Sequence, residues 1–204
     1  MSAPAAMLDR DELLAMMRAS GALLEGHFLL TSGLHSPAYL QCARLLTEPA
    51  RVVRIAGGIR ARLEERGLGD TIEAVLAPAM GGIILGYEIA RQQGVPSLFV
   101  ERQDGSFVLR RGFALRPGQR VLIAEDVVTT GLSTRECIAC ARSNGGEVVA
   151  ATCIVDRSGG RAEVGVPLVP LATLDLPLYP ADALPPELAA LPAVKPGSRP
   201  GLVP

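Results

Sequence analysis

Glu125 and Asp126 are adjacent carboxylates that follow four apolar residues, Val121-Leu122-Ile123-Ala124, and precede Val127-Val128-Thr129-Thr130-Gly131-Leu132-Ser133-Thr134. The apolar run predicts a buried strand, and the Thr/Gly/Ser stretch predicts a loop that opens a helix. A helix N-terminus exposes unpaired N–H groups and a partial positive charge, so a phosphate is stabilised there. The hydroxyls of Thr129, Thr130 and Ser133 can add donors, and Gly131 is expected to let the backbone approach the anion. Adjacent carboxylates repel a phosphate, but as acceptors they suit the vicinal hydroxyls of a ribose. Phosphate and ribose would then sit at opposite ends of one loop. Helix capping alone selects Thr, Ser and Asp, so a short match would mean little; here the whole stretch from 121 to 134 agrees with a sugar-phosphate site.

The flanking sequence has the rhythm needed to hold such a loop. Short apolar strands at 74–76, 97–100, 121–124 and 148–155 alternate with helical patterns at 82–93 and 132–143, which predicts an α/β fold with a central, mainly parallel sheet flanked by helices. Ligands of open sheets bind beyond the carboxyl ends of the strands, so the loops after 76, 124 and 155 are where chemistry is expected. Upstream, Asp9 reads as an N-cap with Glu12 as its capping-box partner and Leu8 and Leu13 as a hydrophobic staple, and Gly21 closes that helix. Pro49 opens a second helix whose Val52, Ala56, Ile59 and Leu63 share one face. Gln103-Asp104-Gly105-Ser106 reads as a tight hairpin turn and a candidate flap. Ten of the sixteen prolines lie from Pro167 onward, too dense for long helices, so this stretch is expected to be extended segments and turns.

Composition narrows the class. A chain of 204 residues with 49% apolar residues can bury a substantial core as one domain. Its formal net charge of −1, with basic residues scattered along the chain, gives no footprint for nucleic acid. No apolar run is long enough to span a bilayer, and the first five residues lack the pattern of a signal peptide, so no membrane association and a cytoplasmic location are expected. Cys137 and Cys140 form a C-x-x-C inside a predicted helix, without further ligands nearby, and read as apolar helix residues. His27 and His35 stand in no metal-ligand spacing and read as hydrogen-bonded residues.

The stretch from Val121 to Thr134 resembles the 5-phosphoribosyl 1-pyrophosphate (PRPP) signature of the type I phosphoribosyltransferases. Similarity to the orotate branch of that family extends over nearly the whole chain. Phe28-Leu29-Leu30-Thr31-Ser32-Gly33-Leu34-His35-Ser36-Pro37-Ala38-Tyr39 resembles the N-terminal segment that forms a hood over the base, and Ala77-Pro78-Ala79-Met80-Gly81-Gly82 resembles the pyrophosphate loop. Val155-Asp156-Arg157 resembles the strand end whose arginine pairs with the orotate carboxylate, for which a planar guanidinium is well shaped.

The resemblance implies a type I phosphoribosyltransferase fold with a small hood (about 1–45), a core (about 46–165) and a Pro-rich C-terminal segment (about 166–204). It implies transfer of a phosphoribosyl group from PRPP to orotate, with Mg²⁺ held mainly by PRPP and water. Glu125, Asp126 and Arg102 are the implied catalytic residues. PRPP would be bound by Glu125 through Ser133 together with Arg102, Met80 and Gly81, and orotate by Thr129, Arg157 and Tyr39. A homodimer that shares the flap across its interface is implied as well. The alternatives are a purine phosphoribosyltransferase and a non-catalytic PRPP-binding regulator. The chain departs from the family in its lysines: relatives place them in the hood, the pyrophosphate loop and the mobile loop, whereas Lys195 is the single lysine here. Thr31 and Gly81 stand at two of those positions, so Arg102, assisted by Arg110 or Arg111, is the expected cation of the flap.

Overall fold

The computed structural model describes residues 7–30 and 32–196; the readings of residues 1–5 and of Thr31 lie outside them. Helix α1 (Arg10–Ala19) starts where Asp9 accepts a hydrogen bond from the Glu12 amide at 2.8 Å. The reciprocal half of the capping box is replaced. Both Glu12 oxygens take the Arg54 guanidinium, at 2.9 and 2.7 Å, because charged donors bind a carboxylate more strongly than one backbone amide. Leu8 and Leu13 are both fully buried, as a staple requires.

Arg54 belongs to α3 (Pro49–Glu65), which carries Pro49 in its first turn and buries Val52, Ile55, Ala56, Ile59 and Leu63. The central sheet contains β3 (Ala74–Pro78), β4 (Ser97–Gln103), β5 (Ser106–Leu109), β6 (Arg120–Val128), β7 (Glu147–Asp156) and β8 (Leu168–Thr173) in the order β5-β4-β3-β6-β7-β8. All neighbours are parallel except β4 and β5. Strand alternation divides the core: Leu122 and Ala124 join α1, α3 and α4 (Gly81–Gln93) on one face, while Val121 and Ile123 join α5 (Leu132–Ser143) on the other. Each fully buried Leu or Ile contributes about 1.5–3 kcal/mol.

Two boundaries differ from the sequence reading. Strand β6 runs on to Val128, since β7 continues to pair with it as far as Val128 opposite Asp156, so Glu125 and Asp126 are strand residues rather than the start of a loop. Strand β8 lies within the Pro-rich stretch. Its Pro170 is tolerated because β8 is an edge strand, where a missing N–H breaks no ladder on the outer side.

The flap and hood are both hairpins. Asp104 and Gly105 have φ of 50° and 84°, the two left-handed positions that a primed turn between β4 and β5 demands. The hood pairs β1 (Leu23–Leu29) with β2 (His35–Leu40), and the short helix α2 (Cys42–Leu45) leads from it to α3. Beyond β8 the chain returns to the hood. His35 and Tyr179 exchange backbone hydrogen bonds at 2.8 and 2.9 Å, and past α6 (Pro186–Ala189) the backbone of Val194 bonds to His27 and Leu29. His27 donates Nδ1–H to the Leu191 carbonyl at 2.8 Å, which leaves its Nε2 to meet His35 Nδ1 at 2.6 Å.

Candidate active site

The carboxyl ends of β3, β4, β6 and β7 open onto three adjoining cavities. The first, of about 230 Å³, is walled by Pro78, Ala79, Gly81, Gly82, Arg102, Phe107, Glu125, Asp126, Val127 and Ser133. The space beside Gly81 is taken by protein atoms: a Cβ there would stand 2.7 Å from Asp126 Oδ2. Gly82 has a similar reason, since its Cβ would lie 2.6 Å from the Ala124 carbonyl oxygen. Both glycines therefore let the N-terminus of α4 press onto β6. Met80, at the N-cap of α4, is 83% exposed and lines none of the described cavities; the Ala79–Met80 peptide is cis.

Burial and the adjacent Asp126 push the Glu125 carboxyl up to about 7, with Thr134 and Arg102 opposing the shift. Asp126 is also raised, by burial, and is eased by backbone N–H groups, one of them Val127 N–H at 2.9 Å. Two coupled carboxylates in a partly desolvated cavity favour a ligand that brings hydroxyl donors or a cation. Arg102 already faces them from the flap of the same chain. Its guanidinium donates to the Gly105 carbonyl at 2.7 Å and to Glu136 on α5, and its Cζ lies 4.2 Å from the centre of the Phe107 ring.

A second cavity of about 220 Å³ shares Glu125, Val127 and Ser133 with the first and adds Val128, Thr129, Thr130, Gly131, Leu132 and Thr134. It lies at the N-terminus of α5, where a phosphate is favoured. Gly131 has φ 75°, and a Cβ on it would meet Val164 Cγ1 at 2.8 Å and Arg135 Nη1 at 3.1 Å. Here too the glycine makes room for protein atoms.

The third cavity, of about 250 Å³, is lined by Thr129, Thr130, Arg157, Ser158, Arg161, Leu176, Pro177 and Leu178. Arg157 Nη2 is buried and has no hydrogen-bond partner among the described residues. Burial lowers the pKa of this half-buried guanidinium from its ordinary value, and a cation with a buried, unpaired N–H group is a strong attractor for an anion. Sequence reasoning placed Arg157 and Thr129 here but gave no role to Arg161, to the apolar wall of Leu176, Pro177 and Leu178, or to Asp156, directly before Arg157 in sequence. Asp156 is 1% exposed, and its carboxylate accepts from Ser158 N, Ser158 Oγ and Gly160 N at 2.9, 2.6 and 3.1 Å. An acid directly before an arginine at the end of an apolar run was the signal available for it.

Tyr39 is not brought to this group. It stacks on Phe28 with ring centroids 5.8 Å apart and lines none of the described cavities. Arg110 and Arg111 also line none of them; Arg111 is engaged by both oxygens of Glu101 at 2.9 and 2.8 Å, the stronger option for an exposed arginine beside a carboxylate. Cys137 and Cys140 are free and buried in α5, as expected of helix core residues. Among the described residues no group of three or more His, Cys, Asp or Glu could hold a metal by itself, and no helix is long and apolar enough to cross a membrane.

Residues 42–167 match the family model described as the phosphoribosyl transferase domain. A protein of Novosphingobium aromaticivorans named orotate phosphoribosyltransferase is 58% identical, over 93% of this chain and 97% of its own length. One from Maricaulis maris with the same name is 54% identical, over 94% of this chain and 98% of its own. Among solved structures, an orotate phosphoribosyltransferase from Aeropyrum pernix superposes with a TM-score of 0.62 at 29% identity, covering 79% of this chain and 93% of the other.

Proposed function

The chain belongs to the orotate phosphoribosyltransferases, and from that premise we propose which of its residues bind and orient each substrate. The reaction joins orotate to the ribose of PRPP and releases pyrophosphate, giving orotidine 5′-monophosphate. One observation carries the placement of the base: Arg157, whose buried Nη2 has no hydrogen-bond partner, lines a cavity that shares Thr129 and Thr130 with the loop at the α5 N-terminus. The orotate carboxylate supplies the missing partner. Leu176, Pro177 and Leu178 then provide an apolar wall for the flat ring.

On this reading the 5′-phosphate sits on the N–H groups and hydroxyls from Thr129 to Ser133, and Glu125 and Asp126 accept from the ribose hydroxyls. Their negative charge also stabilises the cationic character that develops on the ribose as the bond to pyrophosphate breaks and the base nitrogen attacks. Arg102 meets the departing pyrophosphate. It stays charged, so it acts by position and electrostatics and not as a proton donor. With no lysine at Gly81, this cation from the flap is the one supplied to the first cavity.

A site of two carboxylates open to a polyphosphate suits Mg²⁺, which commonly takes few protein ligands alongside phosphate oxygens and water. Glu125 and Asp126 are the carboxylates that would face it. When bound, the ion would neutralise charge on the leaving group.

The proposed assembly is a cytoplasmic homodimer without nucleic-acid partners. Exposed Met80, Ile84 and Tyr87, spaced along one side of α4, support a protein contact there. For Arg102 we propose action on the site of its own chain, whose first cavity it lines, in place of the flap crossing that the resemblance implies. A purine specificity would leave the Arg157 guanidinium without its anion, and a non-catalytic regulator would not need Arg102 beside the carboxylates. The deciding experiment follows orotate absorbance with and without PRPP. Consumption only when both PRPP and Mg²⁺ are present is expected; no consumption, with adenine or guanine accepted instead, would overturn the assignment.

A further inference from the structure

We propose that Arg135, outside all three cavities, is a positioning residue that locks the phosphate loop to the base loop. This rests on the substrate placement above. Arg135 projects from the first turn of α5, and its Nη1 donates to two backbone carbonyls, Thr130 O at 3.0 Å and Glu163 O at 2.7 Å. An Nη1 group has two hydrogens, so both are used. Thr130 belongs to the loop at the α5 N-terminus, and Glu163 lies in the loop that runs from Arg157 to Pro167.

The base loop is bonded along its length. Asp156 accepts from Ser158 and Gly160, and Ser158 Oγ in turn accepts from the Ala162 amide at 2.8 Å, one residue before Glu163. At the other end the Arg157 amide donates to the Val128 carbonyl at 2.9 Å, immediately before Thr129. The result is a closed circuit: Val128, Arg157, Asp156, Ser158, Ala162, Glu163, Arg135, Thr130. Arg135 is the link through which it returns to the phosphate loop.

The motif glycine gains a second reason from this arrangement. A Cβ on Gly131 would stand 3.1 Å from Arg135 Nη1 and 2.8 Å from Val164 Cγ1. Glycine at 131 admits both the guanidinium and the end of the base loop to the N-terminus of α5. Only the link from Arg157 to Val128 joins two backbone groups, and every other hydrogen bond of the circuit uses one of a few side chains. Arg135, Asp156 and Ser158 are those few.

Arg135 touches no substrate on this reading, so its removal should alter how well the two loops are held together. Arg135→Gln cannot donate to both carbonyls in the same geometry. It is expected to fold with an unchanged melting temperature, within a few degrees, because the side chain is exposed. The KM values for PRPP and orotate should both rise, by about 3- to 10-fold, the scale of one lost hydrogen bond. Ser158→Ala should raise the KM for orotate alone. In the double variant the orotate KM should be no higher than in the worse single variant, because two breaks in one circuit are not additive. Arg135→Lys, which can reach one carbonyl, should recover part of the loss.

Wild-type turnover of orotate is measured first, since its failure would overturn the substrate reading and not this one. If the wild type turns over and Arg135→Gln leaves both KM values unchanged, or if the Arg135 and Ser158 effects on orotate KM multiply independently, the coupling role is wrong. A fall in melting temperature of 10 °C or more with proportionate loss of active enzyme and unchanged KM would likewise reduce Arg135 to a structural residue.

Discussion

The Asp126 carboxylate occupies the space where the Gly81 side chain would be: a Cβ at residue 81 would stand 2.7 Å from Oδ2 and 2.9 Å from both Cγ and Oδ1. The first residue of α4 and a carboxylate of β6 are thereby held against each other. The position of Asp126 depends on a residue forty-five places earlier having no side chain.

Gly81→Ala is therefore expected to displace the Asp126 carboxylate while leaving the fold intact. A shift approaching 1 Å in a ribose-orienting group lowers turnover by about 100-fold. Circular dichroism together with kcat at saturating PRPP tests this, and a folded variant with wild-type kcat would mean that Asp126 is not held by this contact.

Arg157→Ala should raise the KM for orotate far more than that for PRPP. The lost charge-assisted bond is worth about 1.5–3 kcal/mol, or roughly 10- to 150-fold. Equal effects on the two substrates would argue against orotate in the third cavity.

Glu125→Gln should change the pH dependence of stability in the ligand-free protein. The Glu125 carboxyl is raised to about 7 by burial and by Asp126, so the folded state holds its proton more tightly than the unfolded chain does. That contribution is fully present below the ordinary glutamate value and is lost as pH rises through 7. Relative to Glu125→Gln, the wild type should lose stability between about pH 4.5 and 7 and then level off, by on the order of 3 kcal/mol at most. Thermal melts of both proteins across this range check it; parallel curves would place Glu125 in a more hydrated setting.

Asp126→Asn and Arg102→Ala should each fold and lose most of their turnover. With Arg102 on the wall of its own chain's first cavity, a mixed dimer would carry one defect in each site. Mixing the two inactive proteins should then restore nothing, once native mass measurement confirms that subunits have exchanged. Recovery of activity in mixed dimers would show that the flap acts on the neighbouring site after all.

The parts legible in the sequence were those governed by local periodicity and local chemistry. Four apolar residues before Glu125 announced β6, alternating strands and helices announced the parallel sheet, and Asp104-Gly105 announced the flap turn, because each depends on neighbours in the chain. Thr129, Thr130 and Ser133 beside a helix start likewise carried their own physical reason. Other features were set by contacts between distant segments, which no local pattern encodes. Gly131 was read as letting the backbone approach an anion, yet the atoms that fill its space belong to Val164 and Arg135, as those beside Gly81 belong to Asp126. Strand β6 reaches Val128 because β7 continues beside it, and a proline-rich stretch supplies both an edge strand and the wall of the base cavity because it folds back across β7 and the hood. The sequence alone determined which groups the protein owns and which elements carry them. Only tertiary packing decided which groups face each other, because desolvation, close approach and hydrogen-bond closure are properties of residues brought together from separate parts of the chain.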